Sequence, residues 1–273
     1  MDTKIILDKQ DMTHLQWSHT RSSSGTAGTF LKASERVHGK KVYYKLSNFD
    51  SEKGIVGHEC VNEIIVDRLL TILGVEHLHY QLIHADVDID GHIYETWLCA
   101  SEDFKEPGET KVALDNYYQV NSEAKTSHYD FCVQNGWQDY IDTMLAVDYL
   151  IMNRDRHGAN IEVLRNARKK TLRIAPLFDH GLSFLCSCFS EKEIAEFDID
   201  VDRKCQNFIG GRSTLENLDL IKDKKKLFAN SIALDTKEVL FKDLNRVLSV
   251  EHMEKIWNML YKRWCYYESI CNS

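Results

Sequence analysis

A chain of 273 residues that is 43% hydrophobic can bury a sizeable core, as one large domain or as two lobes. Lys and Arg number 34 against 42 Asp and Glu, a formal net charge of -8, which argues against a general affinity for nucleic acid or an anionic membrane surface. No apolar run reaches the roughly 18 residues of a membrane span. The cysteines (60, 99, 132, 186, 188, 205, 265 and 271) form no zinc-spaced sets and follow no signal peptide, so they read as reduced thiols of a cytoplasmic protein. Cys186 and Cys188 are close, but no second pair stands near them to complete a metal site.

With only two prolines, glycine and charge supply most of the punctuation. "SSSGTAGT" (22–29) is a glycine-containing loop, and "FLKASERVHGKKVYYKLS" after it reads as a β-hairpin in which "HGKK" separates two strand-like runs. In "HECVNEIIVDRLLTILG", Val61, Ile64, Ile65, Leu69 and Ile72 recur at helical spacing, and Gly74 stands where a left-handed residue ends a helix. An amphipathic helix is expected over about 58–73. "HYQLIHADVDIDGHIYETWLCA" (79–100) alternates on both sides of "DG", a hairpin signature. Residues 101–130 are polar and uneven and read as a connection between lobes with surface loops. From about 138 the period is helical, in "QDYIDTMLAVDYLIMN", "TKEVLFKDLNRVL" and the aromatic-rich "VEHMEKIWNMLYKRWCYYESI", whose Trp257, Tyr261 and Trp264 suit core packing. A small hairpin, "IEVL" and "LRIA" around "RNARKK", interrupts the helices. The pattern predicts an α+β chain, with a mainly β lobe and one helix over 1–100 and a mainly helical lobe over 101–273.

The densest polar stretch, "NRDRHGANI" (153–161), follows directly on the apolar run "YIDTMLAVDYLIM". It offers Asp155, His157 and Asn160, and the hairpin then delivers the chain to "APLFDHGLSF" with Asp179. Phosphoryl transfer needs such a set: one carboxylate to orient the attacking hydroxyl and take its proton, and oxygen ligands for Mg²⁺. Asp155 suits the first role, Asn160 and Asp179 the second. Lys45, in "KVYYKLS", can serve as a fixed cation for nucleotide phosphates, held by Glu63 on the following helix with Glu59 one turn earlier in reserve. Backbone N–H groups of "SSSGTAGT" can cover phosphates, although the loop lacks the GxxxxGK[ST] pattern. Singly, Lys45 reads as a strand-edge surface lysine and Glu63 as a solvated helix residue; their joint placement reverses that. His157 is read as structural, bonding backbone to hold the loop, and Arg154 and Arg156 as partners of acidic neighbours.

Asp155-x-His157-x-x-Asn160, with "PLFD" two dozen residues on and "NEIIVDRLLTILG" upstream, resembles the catalytic, metal-binding and N-lobe helix segments of the HipA-like serine/threonine kinases. These are relatives of the phosphatidylinositol 3/4-kinase fold, and the resemblance spans roughly residues 20–185. It implies a bilobal protein-kinase-like fold using ATP and Mg²⁺. Asp155 would be the catalytic base, Asn160 and Asp179 the magnesium ligands, Lys45 the nucleotide-phosphate lysine and Glu63 its partner. "YETWLCASEDF" stands at the hinge position, so Trp97, Leu98 and Cys99 are expected to contact adenine through their backbone. The resemblance further implies a protein substrate with a Ser or Thr acceptor, autophosphorylation at Ser22, Ser23 or Ser24, and action as a bacterial toxin or secreted effector. About 20 residues before the loop are too few for the extra N-terminal domain of longer members, which implies a minimal core or a separate regulatory or antitoxin protein. The triplet Asp179-His180-Gly181 departs from the family toward the DFG of ordinary kinases. Two other classes stay open. One is a phosphatidylinositol or other small-molecule kinase of the same fold, against which the acidic balance weighs. The other is a nucleotide-binding pseudokinase or interaction module, against which the joint retention of Lys45, Asp155, Asn160 and Asp179 weighs.

Overall fold

The computed structural model describes residues 4–18, 30–50, 52–222 and 227–271. Ser22, Ser23, Ser24 and the rest of the "SSSGTAGT" loop lie outside them. Strand β1 (Lys4–Asp11) opens the chain, followed by the hairpin of β2 (Lys32–Val37) and β3 (Lys40–Leu46). That hairpin turns at His38 and Gly39, whose φ values of 50° and 83° are those of a tight two-residue turn. Short β4 (Phe49–Asp50) and β5 (Gly54–Ile55) lead to helix α1 (Glu59–Leu73), and a second hairpin, β6 (Gln81–Ile89) and β7 (His92–Glu102), turns at Asp90 and Gly91 as the alternation predicts. The five-stranded sheet runs β1-β6-β7-β3-β2, with β1 parallel to β6 and the other pairs antiparallel.

Alternation along these strands builds two different faces. Leu46, Leu98 and Ile83, neighbours across β3, β7 and β6, pack with Leu15, Leu31 and Tyr44 on one side. Cys99 and Leu82 face the other way, into the core that contains α1. Lys45 pairs with Cys99 and so shares the α1 side. The helix itself departs from the amphipathic expectation: every residue from Glu59 to Leu73 except Thr71 and Ile72 is buried. Its polar stripe, Glu59, Asn62, Glu63 and Asp67, therefore faces protein rather than water. α1 ends where expected, with Gly74 at φ 73° and its N–H on the carbonyls of Leu70 and Thr71.

The stretch read as loops holds β8 (Thr110–Ala113), α2 (Leu114–Asn121) and α3 (His128–Gln134). These pieces are too short to show a period, and β8 is a strand because it pairs with a distant partner. Helix α4 (Gln138–Leu150) then leads to β9 (Asp155–Arg156), and β10 (Glu162–Asn166) pairs with β8 on one side and with β11 (Thr171–Ile174) on the other. Beyond them come α5 (Glu191–Glu196), β12 (Gln206–Asn207), α6 (Thr236–Phe241) and α7 (Val250–Cys271). α6 stops short of "KDLNRVL" where Lys242 leaves the helical region and Asp243 turns left-handed at φ 62°, and the Arg68 guanidinium of α1 takes the freed carbonyls of Leu240 and Lys242 at 2.9 and 2.7 Å. Trp257 and Trp264 of α7 are buried in the main core, as expected. No helix among the described residues is long and apolar enough to cross a membrane.

Two glycines separate conformation from packing. A Cβ on Gly39 meets nothing within 4 Å, whereas one on Gly74 stands 2.9 Å from the Cβ of Ala229. Gly39→Ala should lose about 1–2 kcal/mol to left-handed strain alone, and Gly74→Ala should lose more. Equal urea midpoints for the two variants would show that the end of α1 has room to adjust.

Candidate active site

On the α1 side of the sheet the Lys45 ammonium reaches Glu63 Oε1 at 3.2 Å and also bonds the Asp179 carboxylate. The Glu63 side chain is wholly buried, and its second oxygen accepts the His180 backbone N–H at 2.9 Å. One carboxylate thus ties β3, α1 and the "FDHG" segment together. Glu59 is engaged elsewhere, accepting the Asn48 backbone N–H at 3.3 Å, so the partner of Lys45 is Glu63. Asn62 donates to the carbonyls of Gly181 and Ser183 at 2.9 and 3.1 Å, and the Tyr80 hydroxyl accepts the Asp179 N–H at 3.3 Å. These contacts hold Asp179 at φ 60°, a region few residues with side chains adopt and aspartate tolerates better than most.

Charge compensation dominates here. Burial pulls the Lys45 ammonium down, but Asp179 and Glu63 outweigh it and hold the charge well above the usual lysine value. For Asp179, burial pushes the carboxyl up, and Lys45, then Lys32 and Arg156, reverse this and hold it well below the usual carboxylate range. Burial raises Glu63, and the Lys45 charge only partly offsets it.

The loop after α4 is organised by a second buried cation. Arg156 Nε donates to both oxygens of Asp148 at 3.3 and 3.0 Å, and Nη2 donates to Oδ1 at 2.9 Å. Nη1 reaches the carbonyls of Asn160 and Phe178 at 3.2 and 2.8 Å. One guanidinium therefore joins the loop carrying Asp155 and Asn160 to the residue before Asp179. Asn153 donates to Asp148 at 2.9 Å and accepts the Asp155 N–H at 3.1 Å. The Asn160 amide nitrogen donates to the Asp155 carbonyl at 2.8 Å, which leaves the side-chain oxygen for another partner. Burial raises the Asp155 carboxyl, His157 opposes that and Asp179 adds to it. His157 Nε2 stands 3.7 Å from Asp155 Oδ2, so one edge of the ring faces the carboxylate.

No family model matches the sequence, and no curated protein matches it. Among solved structures, the Helicobacter pylori proinflammatory kinase CtkA aligns with a TM-score of 0.63 at 17% identity, covering 96% of each chain. The fold is kinase-like. A chain of the Shewanella oneidensis MR-1 HipA–HipB toxin–antitoxin complex with operator DNA aligns more loosely, with a TM-score of 0.45 at 12% identity over 89% of this chain and 64% of that one.

Within this kinase-like frame the hinge expectation needs correction. Leu98 and Cys99 lie inside β7 and pair with β6 on one side and β3 on the other, so their backbone groups belong to the sheet. Trp97 pairs with His84 and stacks on its ring at 4.8 Å. The strand continues to Glu102, and residues 103–109 make the connection onward to β8. Arg156 has its acidic neighbour, whereas Arg154 donates to the Cys186 sulfur at 2.6 Å. Four contributors escaped sequence reasoning: Lys32, Asn62, Tyr80 and Asp148, the acidic partner of Arg156. Lys32 is the direct cross-strand neighbour of Lys45. Burial lowers its ammonium while Asp179 draws it up. Counting back from the His38–Gly39 turn gives this pairing. Asp148, a carboxylate inside an apolar helical run, was also a signal, because such a group must find a cation.

Removing Arg156 strands the Asp148 carboxylate in the core. Arg156→Ala should cost about 3–5 kcal/mol in urea unfolding, and Arg154→Ala much less. Similar losses for the two would mean that the guanidinium does not hold the loop.

Proposed function

We propose that the chain is an ATP- and Mg²⁺-dependent protein kinase of the HipA-like type, acting on serine or threonine hydroxyls. The observation that carries this reading is the meeting of Lys45, Glu63 and Asp179 at one point, tied through Arg156 to the loop of Asp155 and Asn160, in a kinase-like fold. Once bound, ATP would supply the γ-phosphoryl group and Mg²⁺ would neutralise charge developing on its phosphates. The residues present fit that pair. Lys45, braced by Glu63 and neighboured by Lys32, is a fixed cation for phosphate oxygens. The ionised Asp179 carboxylate and the side-chain oxygen of Asn160 are donors of the kind Mg²⁺ takes.

Each side chain then has a distinct task. Glu63 keeps Lys45 aimed, and Arg156 keeps the Asp155 loop in register with Asp179. Asp155 orients the acceptor hydroxyl and takes its proton, work suited to a carboxyl raised by burial. Residues 103–109 offer backbone to adenine in place of 97–99. A phosphate on Ser22, Ser23 or Ser24 would repel bound nucleotide phosphates and switch the enzyme off. A toxin or effector role, with a separate antitoxin or regulatory protein, follows from the same reading.

Incubation with γ-labelled ATP and Mg²⁺, read by phosphopeptide mass spectrometry, tests it. Asp155→Asn should retain ATP binding and lose about 10²–10⁴-fold in transfer, and Asp179→Asn should lose both transfer and the Mg²⁺-dependent part of binding. At a hundredfold excess over Kd, ATP should stabilise the fold by about 2.7 kcal/mol. A shift without transfer would mark a pseudokinase, no shift a module that does not bind nucleotide, and transfer only to lipid vesicles a lipid kinase. Only ionised Asp155 accepts a proton, so transfer should be complete at high pH and fall as pH drops through a value above 3.8. Wild-type pH dependence in Asp155→Asn would remove Asp155 from the role of base.

A further inference from the structure

One turn beyond Glu63 the buried polar stripe of α1 continues with Asp67, only 1% exposed. Asp67 Oδ1 lies 2.9 Å from His77 Nε2 and 3.1 Å from His79 Nδ1, and Oδ2 accepts the Tyr80 backbone N–H at 2.6 Å. The three candidate donor atoms all lie within 4.8 Å of one another. His77 Nδ1 meets the Val75 carbonyl at 2.7 Å. A carbonyl only accepts, so the ring's proton is on Nδ1, and Nε2 turns its lone pair toward Asp67 and, at 3.4 Å, the Thr71 hydroxyl. A lone pair and a carboxylate oxygen this close repel unless a positive charge joins them, either a second proton or a metal ion. An imidazole anchored through its far nitrogen to a backbone carbonyl is the usual arrangement of a metal-bound histidine. His79, with 43% of its side chain exposed, opens the cluster to solvent and leaves a path for an ion and its water.

We propose that Asp67, His77 and His79 bind a divalent transition-metal ion of the zinc class, at a site separate from the candidate nucleotide site. Two imidazoles and one carboxylate suit such borderline ions, whereas Mg²⁺ prefers all-oxygen surroundings. Ligands about 2.0–2.2 Å from a tetrahedral zinc stand roughly 3.3–3.6 Å apart, so binding requires the 2.9 and 3.1 Å pairs to open and the two histidine nitrogens, within 4.8 Å of each other, to settle at a similar separation. The loop carrying both histidines also docks on the segment leading to Asp179. Leu78 N–H donates to the Leu177 carbonyl at 2.8 Å, Leu177 N–H to the Glu76 carbonyl at 3.3 Å, and Tyr80 accepts from Asp179. A bound ion thus fastens α1 to the backbone that presents Asp179. The binding itself stands whether or not the chain transfers phosphate.

Metal-free full-length protein is titrated with zinc alone against a chromophoric chelator, beside His79→Ala, whose exposed position lets the variant fold. Wild type should bind one equivalent that His79→Ala binds more weakly, by at least the roughly 10–100-fold that loss of an outer-shell partner costs. Mg²⁺ should not compete, and zinc should slow amide exchange at Leu78 and Tyr80 in wild type only. Equal uptake by the two proteins would overturn the proposal and leave the cluster a histidinium–carboxylate ion pair. Uptake abolished by alkylating the exposed Cys265, and indifferent to His79→Ala, would overturn it by moving the ion to thiols.

Discussion

An ammonium group buried against a sheet must have counter-charges within reach, and among the described residues the Lys45 ammonium finds them in carboxylates that arrive from two other parts of the chain. Glu63 comes from α1 and Asp179 from the far half. The desolvation cost of such a group is several kcal/mol, and removing both anions would leave it uncompensated. The sheet, the helix and the "FDHG" segment are therefore fixed relative to one another by a charge requirement as well as by packing. It also explains why α1 carries Glu63 inward.

Arg156 repeats the device on the other side of the site. Its guanidinium is bound to the Asp148 carboxylate and to two carbonyls, and it sets the distance between the Asp155 loop and the Asp179 segment. Buried ion pairs of this kind add little net stability compared with apolar packing. Their value is positional: they hold functional groups on rigid elements with no freedom to drift. Two buried cations, each bridging segments distant in sequence, turn short motifs into one constellation.

Much of this was legible because it is local. The hairpins at His38–Gly39 and Asp90–Gly91 and the end of α1 at Gly74 are written in turn and cap chemistry, which needs no tertiary context. The spacing that singles out Asp155, Asn160 and Asp179 as candidates is likewise read from the sequence alone. What escaped is tertiary. The inward face of α1 depends on what packs over it, and β8, α2 and α3 are too short to leave a period. Leu98 and Cys99 were misplaced at a hinge because the end of β7 is set by its pairing with β3 and β6, and alternation alone does not mark where pairing stops. Lys32 escaped through the turn: with "HGKK" as the connection Lys45 would face Ser34, whereas the two-residue turn at His38–Gly39 sets it opposite Lys32.

A crystal structure with a non-hydrolysable ATP analogue and Mg²⁺ tests the central claim most directly. The account predicts the triphosphate between the sheet and the 153–160 loop, with Lys45 on its oxygens while still bonded to Glu63, and with the ion on Asp179 and Asn160. A nucleotide bound elsewhere, or an ion that leaves Asp179 and Asn160 untouched, would contradict it.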